Sequence, residues 1–169
     1  MYEIIKEMEP FLTDEQLKQA LTPLKDEKSK FKLIREVSED GNAKFLKRII
    51  ECGINIDVKD NVLHRVIYMY SYNEVAKLFI QQGFFNNEHF ISTILTDNIE
   101  LAEFFLQHGA DINIRSRFDN STILDMIEKT ENSFQKEWMK MLLPFKDQFN
   151  EENKKAYEKM RLKILLEMK

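Results

Sequence analysis

Three histidines, His64, His89 and His108, and a lone cysteine, Cys52, hold the most reactive side chains of this 169-residue chain. A thiolate beside an imidazole makes a nucleophile and base, and two or more such groups at short spacing hold zinc. Here they stand singly in different stretches, with no CxxC and no HExxH spacing. Paired carboxylates, Glu39 with Asp40 and Glu151 with Glu152, fall in polar turns and helix starts, where the helix dipole favours negative charge. Four glycines are too dispersed for a phosphate loop, and no serine sits in a GxSxG elbow. A non-enzymatic chain is expected, with no catalytic residue, metal ligand or cofactor.

Two other places carry the chemistry of contact. Tyr68, Met69, Tyr70 and Tyr72 crowd three phenols and a thioether together, and such side chains give large contact area at small entropic cost. Arg115, Arg117 and Phe118 set a ring beside two guanidinium groups. These seven are the candidate partner-binding residues, although at least one tyrosine of the first group is expected to pack inside the fold.

The elements that position them follow from composition and periodicity. Apolar residues make up 43% of the chain, enough for a continuous core, and three prolines with four glycines interrupt a helix-favouring mixture of Leu, Ile, Phe, Met, Lys and Glu. An all-α fold is predicted. Net charge is −4 with a pI near 5.5, which argues against nucleic acid as a partner. The acidic excess lies before residue 150, and the stretch after it is mildly basic. No apolar run approaches the length of a membrane span, residues 1–7 are too acidic for a secretory signal, and a single cysteine closes no internal disulfide. A cytoplasmic protein is expected, in its own cell or in a host, with no membrane partner.

Three segments share one ending: Phe45 to Gly53, Val75 to Gly83 and Leu101 to Gly109. Each is an amphipathic helix closed by glycine, which tolerates the left-handed conformation of a sharp exit. A fourth copy, Trp138 to Lys146, keeps the apolar columns and loses the glycine. The columns run Phe45, Val75, Leu101, Trp138; Leu46, Ala76, Ala102, Met139; Ile49, Phe79, Phe105, Leu142; and Ile50, Ile80, Leu106, Leu143. Shorter helical stretches precede them at Phe31–Ser38, Val62–Met69, Phe90–Leu95 and Ile123–Lys129. Polar turns between alternating residues follow Gly53 and Gly109, as in short hairpins, whereas the stretch after Gly83 is cut short and residues 131–137 lengthen the turn of the fourth copy.

This pattern resembles the ankyrin repeat, whose units run DGxTPLHxA, a turn, a helix ending LLLxxGAD, and a hairpin. Phe105-Leu-Gln-His-Gly-Ala-Asp-Ile-Asn113 is close to the family consensus. Asn61-Val-Leu-His64 and Ser121-Thr-Ile-Leu124 stand where TPLH is expected, Ile34 and Phe90 fill the matching apolar slot, and Gly41 falls at the first inter-helix turn. The closing positions 53, 83, 109 and 146 are unevenly spaced against a family repeat of ~33 residues.

The resemblance implies a single domain over 1–169: an N-terminal helical cap (1–25), about four repeats (26–148) and a C-terminal capping helix (149–169). The architecture implied is a helical solenoid of helix-turn-helix units with short hairpin loops. Thr13 with Gln16 reads as a capping box for a helix Asp14–Leu21, preceded by one over Tyr2–Met8, and Asn150 as the cap of a helix from Glu151 to about Glu167. That last helix carries a stripe of Tyr157, Met160, Ile164, Leu165 and Met168, read as a cap in preference to a membrane-surface helix. The family also implies structural roles for His64 and His108, and places Tyr68, Met69, Tyr70 and Tyr72 on a concave binding face and Arg115, Arg117 and Phe118 at a hairpin tip.

The function expected is therefore protein binding by a chain that is monomeric when free. Two narrower variants share that mechanism. One is a bacterial immunity protein that plugs the active site of a toxin such as a basic nuclease, and the other is an ankyrin effector acting in a host cell.

Overall fold

The computed structural model describes residues 2–24, 26–54 and 61–167. Among these the chain is all-α, and its β content is a single antiparallel bridge between Arg115 and Thr122. It divides into two compact units, Met1–Phe84 and Phe85–Lys169.

In the first unit, α1 (Tyr2–Met8), a 3-10 turn (Glu9–Phe11) and α2 (Asp14–Leu21) precede two helical hairpins. The first pairs α3 (Glu27–Glu39) with α4 (Ala43–Glu51). The second pairs α5 (Asn61–Arg65) and the π-turn into which it runs (Val66–Tyr70) with α6 (Asn73–Gln81). α3 packs on α5 and the π-turn, α4 packs on α6, and α2 covers α4. The apolar columns explain this order: Phe45, Leu46 and Ile49 of α4 meet the layer of Val75, Ala76 and Phe79 of α6, all fully buried. Each large side chain so buried contributes ~1.5–3 kcal/mol. The predicted capping box of α2 is present, with Thr13 Oγ1 accepting from the Gln16 amide at 3.3 Å and Gln16 Oε1 from the Thr13 amide at 2.9 Å. α3 begins a turn earlier than predicted because Asp26 accepts from the Ser29 amide at 2.8 Å. Arg48 of α4 holds the N-terminal segment: it donates to the carbonyls of Glu9 (2.8 Å) and Leu12 (2.5 Å) and to the carboxylate of Asp14 (3.0 Å).

The second unit repeats the plan. α7 (Asn87–Leu95) pairs with α8 (Ile99–Gln107), and α9 (Ile123–Ile127) with α10 (Asn132–Leu142); α7 packs on α9 and α8 on α10. A 3-10 turn (Leu143–Gln148) follows, and then α11 (Glu151–Glu167), which covers α9 and α10. Trp138, fully buried, donates from Nε1 to Asp97 Oδ1 at 3.4 Å. Residues 132–137, expected in a lengthened turn, are helical and form the start of α10. The fourth apolar column fails at Leu143, which is half exposed, because Pro144 turns the chain into the 3-10 segment. The hairpin expected after Gly109 is present as the Arg115–Thr122 bridge; the one expected after Gly53 lies on residues 55–60, outside the described residues. No helix among the described residues is long and apolar enough to cross a membrane.

Three of the four inter-helix turns are built alike; the α9–α10 turn, with Glu131 at φ −63 and ψ 148, is not. Gly41 (φ 70), Ser71 (φ 54) and Asp97 (φ 51) are left-handed, and the residues after them, Asn42, Tyr72 and Asn98, share one conformation with φ −81, −83, −88 and ψ 76, 77, 74. Asn42 and Asn98 cap the next helix, accepting from the amides of Phe45 (3.0 Å) and Leu101 (3.2 Å). Their own amides reach back five residues, Asn42 to the Val37 carbonyl and Asn98 to that of Thr93. The Tyr72 amide reaches back six, to Val66 at 3.1 Å. One extra residue has been fitted into the second hairpin, and the helix absorbs it by widening to a π-turn.

Candidate functional site

That insertion is where the tyrosine group sits. The π-turn sends its side chains two ways. Tyr68 and Met69 face solvent, at 53% and 63% exposure. The ring of Tyr68 is stacked on His64 with centroids 5.5 Å apart, which fixes its orientation without covering its outer face. Tyr70, half-buried, and Tyr72, still 37% exposed, lean back on the unit. Their rings stack at 5.5 Å, Arg65 donates to the Tyr70 hydroxyl at 3.0 Å while it pairs with Glu39 at 2.7 Å, and Tyr72 lies over the bare Cα of Gly41. The packed pair is a buttress between the two hairpins of the first unit. The presented pair is Tyr68 and Met69.

The hairpin in the second unit sorts its residues the same way. Arg115 is a structural strut, donating to the Asn120 carbonyl at 2.9 Å and to Glu152 of α11 at 2.7 Å; the Glu152 hydrogen bond raises its pKa further. Phe118 stands at the tip, 82% exposed, with the Arg117 guanidinium 5.1 Å from its ring centre. Arg117 lies 3.4 Å from Glu88. Asp119 shapes the tip by accepting from the Ser121 hydroxyl at 2.5 Å and the Ser121 amide at 3.1 Å. Those hydrogen bonds hold its carboxyl down at about 2. The tip is a rigid turn that displays a cation on a ring.

The groups with reactive potential take other roles. His89 completes a capping box with Asn86, its Nδ1 accepting from the Asn86 amide at 3.0 Å. His108 stacks on Phe104 at 4.1 Å. Cys52 is half-buried; burial first, and then the nearby Asp14 charge, push its thiol up and away from the thiolate form. A cavity of about 280 Å³ in the first unit is lined by Ile5, Pro23, Leu24, Leu33, Lys32 and Glu36, the last two paired at 3.8 Å along α3. No group of three His, Cys, Asp or Glu side chains able to hold a metal occurs among the described residues.

Two exposed surfaces escaped the sequence. Ile4, Met8 and Phe11 are exposed at one, and Leu162 and Leu166 at the other. Of the α11 stripe drawn from sequence, Tyr157, Met160 and Ile164 are buried, Leu165 is exposed, and Met168 lies outside the described residues. The signal was available: at 100° per residue, Leu162 and Leu166 fall opposite Tyr157 and Ile164.

No protein-family model, no curated protein and no solved structure matches the chain.

Proposed function

We propose that this chain is an ankyrin-type helical repeat protein that binds another protein and does no chemistry of its own. The observation that carries the proposal is the pairing of rigid scaffold with exposed rings. Helical hairpins stack in pairs within each unit, three of the four turning through the same left-handed geometry, and display Tyr68 and Met69 on an inserted residue and Phe118 with Arg117 on a hairpin tip. Exposed aromatic and arginine side chains held by locked backbones are what interface hot spots require, because little entropy is lost when they are covered. Tyr70 and Tyr72 hold the first pair in place, and Arg115 holds the second.

The acidic excess, −4 overall, favours a basic partner. An inhibitor that occupies the active site of a basic toxin, as an immunity protein does, fits this charge, and so does an effector in a host cell. A lone half-buried thiol suits the reducing cytoplasm where either would act.

The test is affinity capture with the full chain, followed by titration of the purified partner. Tyr68→Ala with Met69→Ala, and separately Arg117→Ala with Phe118→Ala, should each weaken binding by about 30-fold or more, the factor that 2 kcal/mol at a hot spot represents. A partner held equally by both double variants sinks the site assignment. A partner whose association rate ignores salt sinks the basic-partner reading.

A further inference from the structure

Each unit leaves one apolar stripe open, and the two stripes are complementary. On α1 and the turn after it, Ile4, Met8 and Phe11 recur at helical spacing and stay exposed, Phe11 at 84%, while Ile5 beside them is buried. On α11, Leu162 and Leu166 are exposed on the side opposite the buried Tyr157, Met160 and Ile164, with Leu166 at 69%. The caps of stacked-helix proteins ordinarily turn a polar face outward. Here both turn an apolar one.

The uncommitted charges beside the stripes have opposite signs. Glu3 and Glu7 flank Ile4 and Met8 and form no salt bridge among the described residues, although Glu3 is near enough to act on Lys6, whose main partner is Asp40. Lys155 and Lys159 lie on the face of α11 that carries Leu162 and Leu166 and make no ion pair among the described residues; Glu167, one turn or more beyond them at the helix end, is the one carboxylate of that face besides Glu158. On the same helix Glu158 is taken up by Arg161 at 3.3 Å, and Lys163 lies 3.8 Å from Glu128. Both free pairs sit four residues apart, so the carboxylates and the ammonium groups repeat at the same pitch.

We propose that the α1 stripe of one copy docks on the α11 stripe of a second copy. Ile4, Met8 and Phe11 lie against Leu162 and Leu166, with Glu3 and Glu7 facing Lys155 and Lys159. The contact joins two unlike faces, because α1 on α1 would oppose glutamates and α11 on α11 would oppose lysines. The contact is heterologous, so copies join head to tail. One helix on one helix falls below the ~1,200 Å² of a standard interface, so the contact is a weak one that shows at high protein concentration. The residues are distinct from the partner surface proposed above, so the two proposals fail separately.

Sedimentation velocity tests this between about 10 μM and 1 mM, the range in which weak protein contacts populate. The wild-type sedimentation coefficient should rise with concentration, and the rise should shrink several-fold in about 1 M NaCl, where the screening length is ~3 Å. Met8→Lys with Phe11→Lys spoils the α1 face, and Leu162→Glu with Leu166→Glu spoils the α11 face; all four sites are exposed, and circular dichroism checks that both variants fold. Each variant alone should be monomeric. An equimolar mixture should form a one-to-one dimer that grows no further, since each supplies the face the other lacks. A wild type that is monomeric throughout, a variant that still self-associates, or a mixture that stays monomeric overturns the proposal. So does a monomeric wild type that binds anionic phospholipid vesicles through Leu162 and Leu166.

Discussion

Gly41 gives the sharpest handle on how the tyrosine buttress is held. Its φ of 70 is left-handed, which costs an alanine ~1–2 kcal/mol relative to glycine. A Cβ there would also stand 2.9 Å from Cζ of Tyr72 and 3.0 Å from both Cε atoms, so the ring must lift. Lifting it disrupts the Tyr70–Tyr72 stack, worth ~0.5–1.5 kcal/mol. Gly41→Ala should therefore destabilise by about 2–3 kcal/mol. Gly83 is the control, because its φ of 78 is equally left-handed and nothing lies within 4 Å of its would-be Cβ. Gly83→Ala should cost only the backbone part, about 1–2 kcal/mol. Urea unfolding followed by far-UV circular dichroism measures both, and repeating the pair in a Tyr72→Ala background should bring the two costs together. Equal costs in the wild-type background would refute the contact between Tyr72 and Gly41.

Other substitutions probe the supports one at a time. Arg48→Ala removes charge-assisted hydrogen bonds worth ~1.5–3 kcal/mol together and should speed amide exchange across residues 2–21 selectively; protection unchanged there would show that Leu17 and Leu21 hold the segment alone. Ser71→Gly relieves a left-handed serine and should raise stability by about 0.5–1 kcal/mol by urea unfolding, without weakening partner binding. Trp138→Ala should cost ~3–5 kcal/mol, and wild-type Trp138 should emit at short wavelength until the second unit unfolds. The Asp119 carboxyl titrates low, so the tip's hydrogen bonds are intact above the ordinary carboxylate pKa and are lost as pH falls through about 2; carbon-detected NMR should show that midpoint, and Ser121→Ala should move it up toward ~3.9.

The helices were legible because their signals are local. Glycines at 53, 83 and 109 mark exits that are closed by hydrogen bonds from the amides of Ile54, Phe84 and Ala110 back to the carbonyls of Ile49, Phe79 and Phe105. The columns of Phe45, Val75, Leu101 and Trp138 are fully buried, as their spacing requires. Residues 131–137 misled because their polar composition reads as a turn, while burial of Gln135 and Trp138 makes the same stretch helical. Within the candidate site, sequence located both groups but could not divide them. Tyr70 and Tyr68 are the same residue type two positions apart, and what separates them is which way a widened turn points.

That widening links the fold to the proposed function. An ordinary α-helical path from Val66 to Tyr72 would need one residue fewer, as the matching paths from Val37 to Asn42 and from Thr93 to Asn98 show. A surplus residue inside a helix forfeits regular hydrogen bonds, so it is a net cost to stability. The surplus is tolerated because Tyr72 finds the one inter-helix turn in the first unit that ends in glycine, and because Tyr70 finds Arg65, itself anchored on Glu39. What the molecule gains is a pair of side chains, Tyr68 and Met69, pushed outward on a backbone that cannot relax. Deleting Met69 should restore the five-residue path and leave the unit at least as stable, while removing partner binding; a deletion that unfolds the unit would mean that the π-turn is a packing requirement of the core and not a device for display.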